Sequence, residues 1–460
     1  MGALRWQKLA RHAEVRGYGL DVVTLDPSCL TKADYTRLHE LPAGTRVFGF
    51  PEPHFRLQAL EDAALALRDR VRSLAGRQAG SSDPAGEGAA SSRPDSLPRE
   101  EVRWLPLAPR EAIRAYFAAK DYALHGSWVR RAARLGESLA SRQAYTAVVS
   151  CGPPHMAHEA GRRLSVRTDL PLVMDLRDPW SLWQRLPEAI ASPVWLSLAR
   201  RYERRAVDRA SLVVMNTLPA CRAMQDRYPE AAKRIIAVMN GYDADPVPAA
   251  NQGSRFTVGY AGTIYIDRDP RPLFRAAAQV IRELELDPAK FGIELMGDVH
   301  SFQELRVEDI AREEGIPEFL RVHAPRLRQE ALEFLATAAL LVILPQDSDL
   351  AIPSKVFEYM QFDAWILALA HPGSAIELTF RDSAIDVVAP DDLPGLTEVL
   401  RERYLQHLRG MRPSRDDGLE RFSRRAQAQI LFEALETRLG ETSSARARRP
   451  PAPPARLSTQ

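Results

Sequence analysis

Along most of the chain, short runs of consecutive apolar residues alternate with longer stretches in which apolar positions recur every three or four residues. The runs at 20–25, 146–150, 171–175, 211–216 and 235–239 form one series, and those at 256–260, 293–296, 320–323, 340–344, 365–370 and 385–388 form a second. Strands apolar on both faces and separated by helix-length segments belong to parallel sheets covered by helices. The chain therefore reads as α/β. Between the two series stand Asn240-Gly241-Tyr242-Asp243 and a Pro/Ala/Asn/Gly-rich stretch at 244–254. Asn-Gly marks a turn because both residues tolerate positive φ. This connector predicts two doubly wound, Rossmann-like domains, 1–245 and 255–415.

A last helix at 418–440 is predicted from the stripe Leu419, Phe422, Ala426, Ile430, Leu431 and Leu435. The segments 76–100, inside the first domain, and 442–460, at the end, hold few large apolar side chains. Neither buries enough surface to offset its ordering entropy, so both are expected to be disordered. The opening of the chain departs from the pattern. Residues 3–13 read as an amphipathic helix that Gly17 or Gly19 ends, with only Met1-Gly2 before it. A doubly wound domain opens with a strand that lies centrally in its sheet. Burial of such a strand contributes an amount comparable with the whole stability of a domain. The expectation is an N-terminal domain that lacks its first strand, and a start codon placed too far downstream.

The 460 residues are 45% apolar and 27% charged, which excludes wholesale disorder. With 62 basic against 60 acidic residues the net charge is +2, and nothing in this balance points to nucleic acid. The three cysteines, Cys29, Cys151 and Cys221, are far apart in the sequence and offer neither a disulfide framework nor a zinc site. The apolar runs are too short to cross a bilayer. A cytoplasmic location is the default expectation.

The richest stretch for chemistry is Ile352-Pro353-Ser354-Lys355-Val356-Phe357-Glu358-Tyr359-Met360. Pro353 and Ser354 are helix-start signals, and a helix N-terminus offers free N–H groups to phosphate. Lys355 adds a full charge there. Glu358, one turn on, suits a ribose diol, as acidic residues do in other nucleotide folds. The other reading of the same spacing is an ordinary capped helix with an i, i+3 ion pair between Lys355 and Glu358. His155 and the pair Arg177 and Asp178 follow predicted strand ends, which face the crevice in such folds. A histidine merely satisfied within the loop is the other reading of His155, an ion pair that fixes the loop is the plainer reading of Asp178, and His158 is a weaker candidate than His155. Three acidic triplets, Asp243-Ala244-Asp245, Asp267-Arg268-Asp269 and Asp347-Ser348-Asp349, lie in loop-like contexts and read as turn chemistry, so no metal site is expected. Lys120, Arg130, Arg131 and Arg134 surround Trp128 on a predicted helix, which is either a solvated face or a surface for peripheral contact with anionic lipid. No GxGxxG follows a strand, which argues against a nicotinamide dehydrogenase.

Taken in order, these motifs resemble the family-4-type glycosyltransferases of the GT-B fold. Residues 352–360 with the strand 365–370 look like their donor-site helix, and Tyr260-Ala261-Gly262-Thr263-Ile264-Tyr265 looks like their glycine loop. Asn240-Gly241-Tyr242-Asp243 resembles their linker turn. Gly2-Ala3-Leu4-Arg5-Trp6, Gly152-Pro153-Pro154-His155 and Asp175-Leu176-Arg177-Asp178-Pro179-Trp180 resemble N-terminal motifs of a bacterial branch. The resemblance implies that Glu358 holds the donor ribose and that Ser354, Lys355, Gly262 and Thr263 surround the diphosphate. Arg268 or Arg271 then serves as the basic residue after the loop, and Arg326, in Ala324-Pro325-Arg326, lies where the nucleobase is read. The family's other glutamate falls at Leu350, which leaves Asp347 or Asp349 for the sugar hydroxyls. His155 and Arg177 are the catalytic candidates. The implied activity is transfer from a nucleotide-sugar to an acceptor that the resemblance does not specify; the lipid-facing reading of the helix around Trp128 would suit a lipid-linked one. Anomeric configuration is retained, no metal or cofactor is needed, and the role lies in cell-surface polysaccharide or other glycoconjugate synthesis. A nucleotide-sugar epimerase and a catalytically impaired binding protein are the alternatives.

Overall fold

A computed structural model describes residues 2–29, 39–51, 109–182, 192–243, 247–249, 253–265, 268–345, 348–413 and 417–447. The predicted disordered insertion at 76–100 lies outside these residues, as do Asp245, Asp267, Asp347 and everything after Ala447.

The C-terminal sheet has six parallel strands: β7 (Phe256–Thr263), β8 (Phe291–Asp298), β9 (Leu320–His323), β10 (Leu340–Ile343), β11 (Trp365–Leu369) and β12 (Asp386–Val388). Their spatial order is β9-β8-β7-β10-β11-β12. The chain therefore builds outward from β7 in one direction, then returns to β10 and builds in the other. That reversal leaves a crevice at the carboxyl ends of β7 and β10, the usual ligand position in such sheets. Helices α6 (Arg271–Glu283) and α11 (Leu393–Leu408) cover one face, and α9 (Ser354–Tyr359) and α10 (Ala375–Phe380) cover the other. Leu340 and Val342 pack into the first layer while Leu341 and Ile343 pack into the second. This explains why the strand shows no polar alternation.

The N-terminal domain contains a four-stranded parallel sheet of β3 (Val148–Gly152), β4 (Leu172–Leu176), β5 (Ala210–Met215) and β6 (Ile235–Ala237) in chain order. A separate parallel pair is formed by β1 (Leu20–Leu25) and β2 (Thr45–Phe50). Val23 and Phe50 join the core on one face of the larger sheet, and Tyr18 and Leu20 join the core on the other. Both layers thus run across the join, yet among the described residues no ladder links β1 to β3. Instead, side chains span it. Arg46 of β2 donates to Gln143 at 2.8 Å, and the Tyr145 hydroxyl meets Asp21. Helix α1 (Gly2–Val15) anchors to β4 and β6 through Arg5. Its guanidinium donates to Asp175 at 3.0 Å and to the carbonyls of Val238 and Met239. Trp6 donates to the same carboxylate at 2.7 Å. A buried charge is tolerable only when paired and hydrogen-bonded in this way.

The connector and the chain's last crossing run side by side. Tyr242 donates its N–H to the Phe422 carbonyl at 3.0 Å, and the Arg424 guanidinium pairs with Asp243 at 2.9 Å. Gly241 adopts φ 68°, and a Cβ there would meet the backbone nitrogen of Arg424 at 2.9 Å. The last helix, α12, runs over Arg424–Ala447 instead of 418–440. Leu419 and Phe422 lie in the turn before it, and Ile430 faces solvent. The buried stripe is Ala428, Leu431, Phe432 and Leu435, which packs with Leu9, Ala13, Val173 and Leu212 of the N-terminal domain.

Candidate functional site

The crevice between β7 and β10 is built by three elements: the end of β7, the loop at 348–353, and α9. Tyr359 of α9 is fully buried, and its hydroxyl accepts the N–H of Ala261 at 3.1 Å, which fastens α9 to the end of β7. Lys355 folds back over the same strand end. Its Nζ donates to the Tyr260 hydroxyl at 3.0 Å and lies 4.2 Å from the centre of that ring. A Cβ on Gly262 would stand 1.6 Å from Nζ, so only glycine leaves room for this amine. Tyr260 in turn donates to the Thr263 carbonyl at 2.8 Å. Arg268 donates to that carbonyl at 3.1 Å and lies over the Tyr265 ring at 4.2 Å. Burial, seconded by the Arg268 charge, brings the Lys355 amine down to about 7.

Glu358 does not pair with Lys355, so the i, i+3 ion pair is not formed. Its partner is Arg328, at 2.8 Å, from the first residue of α8 (Arg328–Thr337). Helix α9 has only six residues, so its N-terminus carries little of the macrodipole that the sequence suggests. The positive charge at the turn comes from side chains. Ser354 opens α9, and Gly262 and Thr263 end β7 as half-buried residues. Arg271 is bound up with Asp269 through contacts of 2.8–2.9 Å at the start of α6. Arg326 is exposed, 3.7 Å from Glu330. Asp349 is exposed, and its carbonyl accepts the N–H of Ala375 at 2.7 Å. Asp347 lies outside the described residues.

Leu350, the position to which the resemblance assigns a glutamate, faces the N-terminal domain. It packs against the core of the N-terminal domain, and its carbonyl accepts the Thr217 hydroxyl at 2.7 Å. Thr217 is fully buried and also caps α5 (Leu218–Arg227) by accepting the N–H of Ala220 at 3.1 Å. The loop that leads into α9 is thereby docked on the carboxyl end of β5.

That edge of the N-terminal sheet also holds the other candidates. His155 stands between β3 and α3 (Met156–Thr168), its ring stacked on buried Trp180 at 5.4 Å and 16°. Both ring nitrogens are shielded and have no hydrogen-bond partner. Burial, then His158, then Arg177 push its pKa well below the usual value, so the ring is neutral. His158 is fully buried and pulled down to about 3, mainly by burial. Its Nδ1 lies 3.0 Å from Ser150 Oγ. Arg177 donates to the carbonyls of Gly152 and Pro153 at 3.1 and 3.3 Å, which ties the ends of β3 and β4 together. Trp128 of α2 (Pro109–Ala140) turns inward onto Phe50 at 5.8 Å, leaving Arg130, Arg131 and Arg134 exposed without an aromatic among them. Helix periodicity puts Trp128 on the core side beside Val129 and Ala132. Among the described residues no three His, Cys, Asp or Glu side chains converge as metal ligands, and no helix is long and apolar enough to cross a membrane.

Sequence reasoning passed over Tyr260, Arg328, Tyr359 and Thr217. Tyr260 and Tyr359 lie inside motifs singled out for their neighbours, and a tyrosine in an otherwise apolar run is a signal of its own, since a buried hydroxyl needs a partner. Arg328 and Thr217 carry no such mark.

No protein-family model matches the chain, and no curated protein matches its sequence. Solved structures do. Sucrose-phosphate synthase from Thermosynechococcus elongatus superposes with a TM-score of 0.54 at 13% identity, covering 92% of this chain and all of that one. The α,α-trehalose-6-phosphate synthase from Burkholderia multivorans gives 0.52 at 14% identity, covering 95% and 99%. The fold is GT-B. Within GT-B, the site described above lies in the C-terminal domain, with the N-terminal candidates on the sheet edge to which its loop is docked.

Proposed function

We propose that this GT-B chain transfers a glycosyl group from a nucleoside-diphosphate sugar to an acceptor hydroxyl. The carrying observation is the Lys355 amine held directly over the Gly262 turn at the switch point, with Arg268 on the same turn. As the glycosidic bond to the diphosphate breaks, the sugar gains oxocarbenium character and negative charge grows on the leaving diphosphate. Fixed cations and backbone N–H groups in a shielded crevice stabilise that charge without reorganising. Lys355, Arg268, Gly262, Thr263 and Ser354 take this part in our reading, and it requires no metal. Glu358, paired with Arg328, accepts from the ribose diol, while Arg326 lies near the nucleobase and Asp347 or Asp349 meets the sugar.

The neutral His155 ring and Arg177 stand on the acceptor side. An uncharged imidazole carries one acceptor nitrogen and one N–H donor, so it can hydrogen-bond an acceptor hydroxyl or a phosphate oxygen. The resemblance to family-4-type enzymes supports retention of configuration and a role in glycoconjugate synthesis. Leu350 favours a second reading, in which the chain binds a nucleotide-sugar without turning it over. Incubation with a panel of nucleotide-sugars and acceptors separates the readings. Nucleoside diphosphate released only when acceptor is present supports transfer, interconverted sugar indicates epimerisation, and binding without release supports the second reading. Lys355→Ala weakens nucleoside-diphosphate binding roughly tenfold or more, the scale of a lost charge-assisted contact. Unchanged affinity would refute this placement of the diphosphate.

A further inference from the structure

We propose that Tyr260 is the positioning residue of the donor site, holding Lys355 in its charged form over the Gly262 turn. The inference rests on the donor reading above and deepens it. A lysine on a half-buried helix start ordinarily extends its amine into water. Lys355 does not, and three features of the strand end explain why. The Tyr260 ring offers its face to the amine at 4.2 Å, and its hydroxyl accepts a hydrogen bond from Nζ at 3.0 Å. Gly262 clears the space into which the amine folds. The hydroxyl cannot turn away, because its own proton is committed to the Thr263 carbonyl at 2.8 Å. Tyr260 is itself nearly fully buried, at 2% exposure. The lone pair aimed at Nζ is therefore a fixed part of the strand end.

The charged groups around the amine sharpen the need for that acceptor. Arg268, after β7, opposes the ammonium, and Glu358 on α9 favours it from a distance while bonded to Arg328. Tyr359, also on α9, has its hydroxyl engaged with Ala261. No carboxylate forms an ion pair with Lys355 among the described residues. A hydrogen bond accepted from the charged form raises a lysine pKa, whereas burial lowers it. Tyr260 thus offsets burial and keeps part of the population charged near neutrality, ready for a diphosphate whose own charge completes the protonation.

The test uses the full chain and titrates UDP, GDP and ADP between pH 5.5 and 8.5 into wild type, Tyr260→Phe and Lys355→Met. In wild type, affinity declines as pH rises through about 7, where the free amine loses its charge. Tyr260→Phe keeps the ring and removes the acceptor. It is expected to move that decline to lower pH and to weaken binding roughly tenfold at pH 8 but much less at pH 5.5, the scale of one hydrogen bond to a charged group. Equal affinity at all pH values, or the same fold loss at every pH, would overturn the proposal, since a merely structural tyrosine acts uniformly. Unaltered binding by Lys355→Met would overturn the donor reading, and this inference with it. Loss in Lys355→Met together with a uniform Tyr260→Phe profile would overturn the inference alone. Amine-selective labelling of Lys355 in the unaltered protein gives a check that requires no variant to fold. Modification with a midpoint near pH 7, suppressed by the bound diphosphate, is the expected result. The profile of an ordinary solvent-exposed lysine would contradict it.

Discussion

Arg328 holds the carboxylate that spacing alone would give to Lys355. The i, i+3 rule describes an isolated helix surface. Here the better partner for the amine lies 95 residues away, on a strand end that no local spacing reveals. This is why Lys355 and Glu358 were legible as candidates while Tyr260 and Arg328, which fix their geometry, were not. The pairing has a consequence for the ribose. Arg328→Ala leaves Glu358 without its cation, and we expect affinity for a nucleoside diphosphate to fall about three- to tenfold, the value of one charge-assisted contact. Inorganic pyrophosphate, which has no ribose, should bind the variant as it binds wild type. Comparing the two ligands by calorimetry checks the role, and an equal loss for both would sink it.

Whole elements were the most legible level. Runs apolar on both faces announced buried strands at nearly the observed places, because two helical layers leave no polar face to show. The strand Thr45–Phe50 escaped because Arg46 and other exposed positions interrupt its apolar pattern. The last helix was found but displaced. Phe422 belongs to the C-terminal core and Leu431 and Leu435 to the N-terminal one, so two separate apolar groups were merged into one stripe. Phe432 is 2% exposed and stacks on Tyr18 at 6.1 Å. Phe432→Ala is expected to cost about 3 kcal/mol or more in stability. Urea unfolding checks this, and a loss below about 1 kcal/mol would show that α12 is not part of the N-terminal core.

At the scale of the whole molecule, the two domains meet beside the crevice proposed to bind the donor. The loop before α9 is held by Thr217 and by Leu350, so the donor crevice is referred to the edge of the sheet that bears His155 and Arg177. Thr217→Val removes the hydroxyl that both caps α5 and holds Leu350. We expect a stability loss of about 1 kcal/mol from the cap, and a fall in acceptor-dependent turnover larger than the fall in nucleoside-diphosphate affinity. Thr217→Ser should restore both, and a fall in affinity as large as that in turnover would refute the interdomain role. The most direct test of the central claim is a crystal structure with a nucleoside diphosphate bound. The diphosphate is predicted beside Lys355 Nζ and the Gly262–Thr263 turn, with the ribose hydroxyls on Glu358. A diphosphate held elsewhere, with that turn untouched, would contradict the account.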